Sequence, residues 1–459
     1  GNYNTAIGYQ ALTTQNVNGT VNNTAVGYKA GYAVTTAIEA TILGSNAGVS
    51  LTTGQNNTLI GAGAAAGLTT GDFNTALGYR ALYTEDVGRG TTAIGYNALY
   101  SQNSDSNDEE TGNVAVGYEA GKAVTTGTDN TIIGYKAAHV MTTPDDMTVV
   151  GKEALITQQG GMTGRGTHIG YRAGFRQNLA SGVDGNVSLG YAANFSNITG
   201  GANISIGYAA GYGVANHSPS NNVSIGYGAA QYISTGFQNV AIGNAAFENA
   251  KSGSINVIIG QEAGRYATGS YNTFVGGYAG KGGTTSAPFS SGEKNVAMGY
   301  EAMRYFTTGN NNVAIGYKAG RLITTAINSV AVGTGAADDA TTGGQFVAIG
   351  AAAAGTVTTD ANYVAVGYAA GQNWVSGIGA RYNTALGYAA NTNGGPGIHV
   401  TAIGANAGMY ATGSYNTFVG SDAGKGATTS APFSSGQNNT AVGYKALTAF
   451  TTGGSNTAI

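Results

Sequence analysis

One phrase, Asn-Thr-Ala-Ile-Gly-Tyr-x-Ala, returns too often in this chain to leave room for an ordinary mixed domain. It stands at Asn4 to Ala11 and at Asn74 to Ala81, and in variant form throughout. Its central glycine recurs from Gly8, Gly27, Gly44 and Gly61 to Gly404, Gly420 and Gly443, 25 copies in all. Of the 24 intervals between these glycines 14 are 17 residues and the rest run from 16 to 23, whereas the phrase itself never changes length. Self-similarity at a fixed short period is the mark of a solenoid, in which each repeat covers its neighbour's apolar face.

Each position of the repeat has its own rule. Three residues before the glycine stands Thr, Val or Ile, and one residue before it Ile, Val, Leu or Met, as in Ile7, Ile315 and Met298. Three residues after it there is always Ala, from Ala11 through Ala319 to Ala446. Period-two alternation with β-branched residues predicts a short strand ending at glycines such as Gly8 and Gly316. Its aliphatic positions share one face, expected to be buried. The position between them is mostly small, Ala6, Ser188 or Ala314, so the opposite face is nearly bare and invites close approach by another backbone.

Asn precedes the strand in 17 copies and suits a corner, because it tolerates left-handed backbone and bonds its own turn. A Thr pair, Thr35 with Thr36 or Thr307 with Thr308, marks a second corner, expected to be reached through a shorter second strand. Stacked coils whose parallel strands lie ~4.8 Å apart would give a rod ~120 Å long. The predicted fold is therefore all-β: a parallel β-solenoid, or β-roll, of about 25 coils forming one continuous unit over residues 1–459. Gly1 and Ile459 both fall inside a repeat, which suggests a segment of a longer fibre.

Composition excludes several classes. Charged residues make up 9%, and 19 basic against 22 acidic residues leave no cationic stripe for nucleic acid. With no Cys there is no disulfide or thiolate metal site, and no apolar run approaches the roughly 20 residues that span a bilayer. A hydrophobic content of 42% is too high for disorder.

The phrase resembles the head repeat of trimeric autotransporter adhesins, whose coils carry Ser-Val-Ala-Ile-Gly. Asn328 to Gly333 reads NSVAVG here, and Asn239 to Gly243 reads NVAIG. The longer form NTAIGYQAL, Asn4 to Leu12, resembles repeats in tail-fibre-like virion proteins of phages. The resemblance covers essentially the whole chain. It implies a left-handed β-roll, a homotrimer and an extracellular place on a virion or cell surface. The adhesin head coil is shorter, and the adhesin's coiled-coil stalk and membrane anchor have no counterpart in this segment.

Converging catalytic groups are not visible in the sequence. His139, His168, His217 and His399 sit in distant coils, and the pairs Asp145 with Asp146, Asp338 with Asp339 and Glu109 with Glu110 read as solvated corner charges. The expectation is a protein without catalysis, cofactor or metal. Tyr follows the glycine in 15 copies, as a structural ladder or, alternatively, a sugar-binding stripe. The longer corners are the candidate contacts for a partner: Asp105, Asp108, Glu109 and Glu110 in one, Phe289 and Phe433 in two others. Those two phenylalanines belong to twin segments, Tyr266 to Ser291 and Tyr410 to Ser435, which lie 144 positions or eight coils apart. The function expected is a structural and adhesive fibre shaft, as in a phage tail fibre. The alternative is a surface adhesin or extracellular filament whose coils bind matrix, glycan or sister fibres.

Overall fold

Each strand before the two-residue last one, Thr457–Ala458, is three residues long because its sequence allows no more. A β-branched residue opens it and a glycine at a φ that other residues avoid closes it, as in Thr24–Val26 followed by Gly27 at φ +140°. The computed structural model describes residues 3–106, 109–156, 165–177, 185–214, 217–283, 289–374, 382–427 and 433–459. The chain forms two compact units, Gly1–Gly228 and Ala229–Ile459. Among the described residues the first holds thirteen strands, from Thr5–Ile7 to Val223–Ile225, and the second thirteen, from Val240–Ile242 to Thr457–Ala458. Within each unit successive strands pair in parallel and in register, Thr24 beside Thr41, Ala25 beside Ile42 and Val26 beside Leu43. Both units are thus parallel β-solenoids, together carrying about 25 coils with no helix among the described residues.

The closing glycines bring the coils together. A Cβ on Gly8 would stand 2.5 Å from the Gly27 carbonyl oxygen, and one on Gly316 2.7 Å from that of Gly333. The close approach expected of the bare position is therefore made by the next coil's backbone.

The two strand faces are the reverse of the expectation. The small centre residue points inward, with Ala25, Ile42, Leu59 and Ala76 fully buried, while the aliphatic residue before the glycine points out, Ile7 at 60% and Leu43 and Ile315 each at 38% exposure. Alternation fixes which residues share a face, not which face is inside. The interior here is a thin slot that already holds a column of Ala from the opposite wall, such as Ala30, Ala47, Ala64 and Ala319, so small centre residues fit it. Where the centre residue is large, glycine in the wall makes room. A Cβ on Gly280 would lie 2.4 Å from the Phe274 ring, and one on Gly424 2.0 Å from that of Phe418.

The opposite side of the coil is not a second strand. Residues two and four after the glycine take left-handed backbone, Lys29 at φ +53° and Gly31 at +57°, Arg80 at +50° and Leu82 at +53°, which breaks extended geometry. Bonds between coils continue nonetheless. The Lys29 amide donates back to Tyr9 O at 2.8 Å and the Gly31 amide forward to Ala47 O at 3.0 Å.

Asn earns its corner by its side chain. The Asn57 amide group donates to Gly71 O at 2.9 Å while its Oδ1 accepts from the Asn74 amide at 2.9 Å, and Asn74 repeats the pattern with Gly88 O and Thr91. Left-handed backbone falls one residue earlier, at Asn56 and Phe73. In the second corner the first Thr of the pair does the same work, Thr52 donating to Thr69 O at 3.0 Å and Thr307 to Thr324 O at 3.1 Å.

Candidate functional site

The strands present to solvent what a core usually hides. Leu77, Ile133 and Leu189 in the first unit, and Met298, Ile349 and Leu386 in the second, stand exposed on the outward face. Beside them run the tyrosines that follow the glycine. Their rings stack on one another coil by coil, Tyr79 on Tyr96 at 5.4 Å, Tyr96 on Tyr118 at 5.0 Å and Tyr191 on Tyr208 at 4.8 Å. A sugar ring needs a free aromatic face, and stacking uses those faces up. Inside a run the column is therefore a ladder, with an open face only where the run stops.

Charges collect on the edge next to this ladder. Glu119 meets Lys122 at 2.8 Å and His139 at 3.0 Å; burial works to raise its carboxyl, but the Lys122 hydrogen bond and the Lys122 and His139 charges hold it below the ordinary value. Glu262 is likewise held low against burial, by Lys281 at 2.7 Å and by Arg265. At Asp338 burial prevails over Arg321 and the carboxyl is pushed up. Glu119 with His139, Glu262 with Lys281 and Arg321 with Asp338 tie neighbouring coils.

The predicted contact residues fall in three separate places. Asp105 is exposed and its amide donates to Glu109 Oε2 at 3.1 Å, Glu110 pairs with Arg89 at 2.7 Å, and Asp108 lies outside the described residues. Phe289 and Phe433 are half-buried, each stacked on a tyrosine of the coil below, Tyr266 or Tyr410, at 6.0 Å. Of the acidic pairs, Asp146 meets Arg165 at 2.9 Å and Asp145 caps the Thr128 amide at 3.0 Å. His399 is sandwiched between Tyr382 and Tyr415, with ring centres 5.0 and 5.3 Å away. Among the described residues no group of three or more His, Asp or Glu is placed to hold a metal, and no helix is long and apolar enough to cross a membrane.

No family model matches this chain, and no curated protein does either.

Two features escaped the sequence reading. The first is inside: His168, Ser188, Ser205 and Ser224 occupy the buried centre position in consecutive coils, facing Gln177, Asn194 and Asn197, all buried. Among the described residues the side-chain amide atoms of Gln177 and the Ser188 hydroxyl have no hydrogen-bond partner. The second is outside, where the tyrosine column stops. At Ser45 and Ala62 small residues replace Tyr, and a cavity of about 270 Å³ opens against Tyr79, Arg80 and Tyr83.

Proposed function

We propose that this chain is the shaft of an extracellular host-recognition fibre, of the phage tail-fibre kind, without catalysis of its own, in which three copies pack their outward strand faces together. The apolar outward face is the observation that carries the proposal. In each unit thirteen strands ~4.8 Å apart and three residues of ~3.3 Å wide present roughly 600 Å². Soluble monomers seldom leave an apolar patch larger than a few hundred Å² uncovered, and such patches mark association sites. The occupant that fits is another copy of the chain. Its ladder has the same spacing, its aliphatic side chains carry no charge that pairing would bury, and closed rotational symmetry covers every copy alike. The NSVAVG and NTAIGYQAL phrases support the same architecture by resemblance. Interiors packed with Ala beside Ile, Leu or Phe, and corners tied by Asn, supply stiffness, which suits a shaft.

Sedimentation of the purified chain tests the assembly: the expected mass is three chains. Ile133→Lys combined with Leu189→Lys, two outward positions, should give a monomer with an unchanged β circular dichroism spectrum. A wild-type monomer overturns the proposal. Immunogold labelling of the native source tests the setting, since label on cell envelopes with virions bare would replace the tail-fibre reading by the surface adhesin.

A further inference from the structure

The cavity at the end of the tyrosine run Tyr79, Tyr96, Tyr118 and Tyr135 is built from residues that are each ordinary in this repeat and unusual in combination. Two aromatic columns start in the same coil: Tyr79 stacks on Tyr96 at 5.4 Å, and Tyr83, four residues on, stacks on Tyr100 at 5.1 Å. In the coil before them the equivalent positions are Ala62 and Ala66, so both rings lack a ring neighbour on that side. Gly63 lies beneath, close enough that a Cβ there would come within 3.4 Å of Arg80 and of the Tyr83 ring. Ser45 and Asn46 also line the cavity and bring a hydroxyl and an amide.

Arg80 is the one charged group in this lining. Its guanidinium lies 5.1 Å from the Tyr79 ring centre and 5.2 Å from that of Tyr83, and among the described residues it has no carboxylate partner. On the same edge Arg172 pairs with Glu153 at 2.7 Å and Arg321 with Asp338 at 2.8 Å. A guanidinium fork held on aromatic rings and left without a counter-ion suits a planar anionic group. Ring surface, a hydroxyl and an amide beside it suit a polyhydroxylated ring with apolar C–H edges.

We propose that this notch binds an anionic sugar residue, a uronate or a sulfated hexose, of a surface polysaccharide. Arg80 takes the carboxylate or sulfate, Tyr79 and Tyr83 flank the sugar ring, and Ser45 and Asn46 hydrogen-bond its hydroxyls. The assignment rests on the reading of the chain as a host-recognition fibre, and it places a lateral recognition site on the shaft.

Calorimetry on the full chain decides it, with tetragalacturonate and a heparin-derived tetrasaccharide as probes and maltotetraose as the neutral control. Saturable binding is expected for at least one anionic probe, at least tenfold tighter than for maltotetraose. Ala62→Tyr continues the tyrosine column as 15 other coils do, so it fills the notch without asking the fold for anything new. It should weaken binding at least tenfold, as should Arg80→Gln, whereas Ala351→Tyr, the same change in a distant coil, should leave it unchanged. Failure of both anionic probes to bind, or full affinity in either Ala62→Tyr or Arg80→Gln, overturns the site. A chain that sediments as a trimer yet fails to bind overturns the site alone, while a wild-type monomer overturns the shaft reading instead.

Discussion

The coils from Gly27 to Gly151 and those from Gly170 to Gly226 share one frame around opposite interiors. In the first group Ile42, Leu51, Leu59, Leu68 and Met141 fill the slot, and a continuous apolar cluster runs from Ala25 to Leu155. In the second group the slot holds His168, Gln177, Ser188, Asn194 and Ser205. Strands stay in register through both, with His168 beside Val149 on one side and Ser188 on the other. Glycine contacts are equal too: a Cβ on Gly134 or on Gly190 would meet the next glycine's carbonyl oxygen at 2.5 Å. The Asn ladder also persists, Asn203 Oδ1 accepting from the Asn222 amide at 3.0 Å. Backbone and corner contacts therefore specify the coil, and the slot's contents set how stable it is. Each partnerless buried polar group costs about 1–3 kcal/mol, which makes the second group the softer stretch.

The largest effect should come from the frame and be the same in both groups. Gly134→Ala and Gly190→Ala each force a Cβ into the next coil at a φ above +130°, and about 3–5 kcal/mol of lost stability is expected from urea melting. A clear difference between the two would break the idea of a shared frame. Leu59→Ala, in the apolar group, should cost about 2–5 kcal/mol. Asn57→Ala and Asn203→Ala come next, each leaving a buried amide and a carbonyl unpaired, at about 1–3 kcal/mol. Ser188→Ala removes a partnerless hydroxyl and should be neutral or stabilise by up to about 1 kcal/mol; a loss of that size would show the polar slot to be satisfied. Native-state hydrogen exchange should rank the amides in the same order, faster from Gly170 to Gly226 than from Gly44 to Gly134.

The outer edge should contribute least. Glu119 is held below its ordinary 4.5, so its contribution is complete above that pH and is lost as pH falls through the lowered folded value. Glu119→Gln should remove that part of the acid-side slope, about 0.5 kcal/mol or less for an edge pair.

Period, strand positions and the tight approach at glycine were legible from the sequence, because each follows from one residue type at one fixed spacing. The facing of the strand was not. Hydrophobicity alone put Ile7 and Ile315 inside, yet apolar residues are free to lie on a surface that a partner covers. Had the interior been assigned to the centre position, His168, Ser188, Ser205 and Ser224 would have announced the polar slot directly. A second strand was expected where Lys29 and Gly31 take left-handed backbone, a choice that Lys does not advertise. Gaps in the tyrosine column at Ser45 and Ala62 are plain in the sequence. That Tyr83 and Arg80 turn one gap into a cavity depends on how the coils stack.

The twin segments show where packing decisions are made. Phe274 is accommodated by Gly264 of the coil before it and Gly280 of its own, and meets Phe306 in the next at 5.3 Å; Phe418, Gly408, Gly424 and Phe450 repeat the set, with 5.8 Å between the rings. Ser290 and Ser434 each donate to the carbonyl of that next phenylalanine at 2.8 Å. Fit is settled between a coil and its immediate neighbours, so a block of coils carries its own solution wherever it is copied. Recombination between near-identical blocks can then add or remove whole coils without a compensating mutation, and the length of such a molecule becomes a trait that a lineage adjusts in steps.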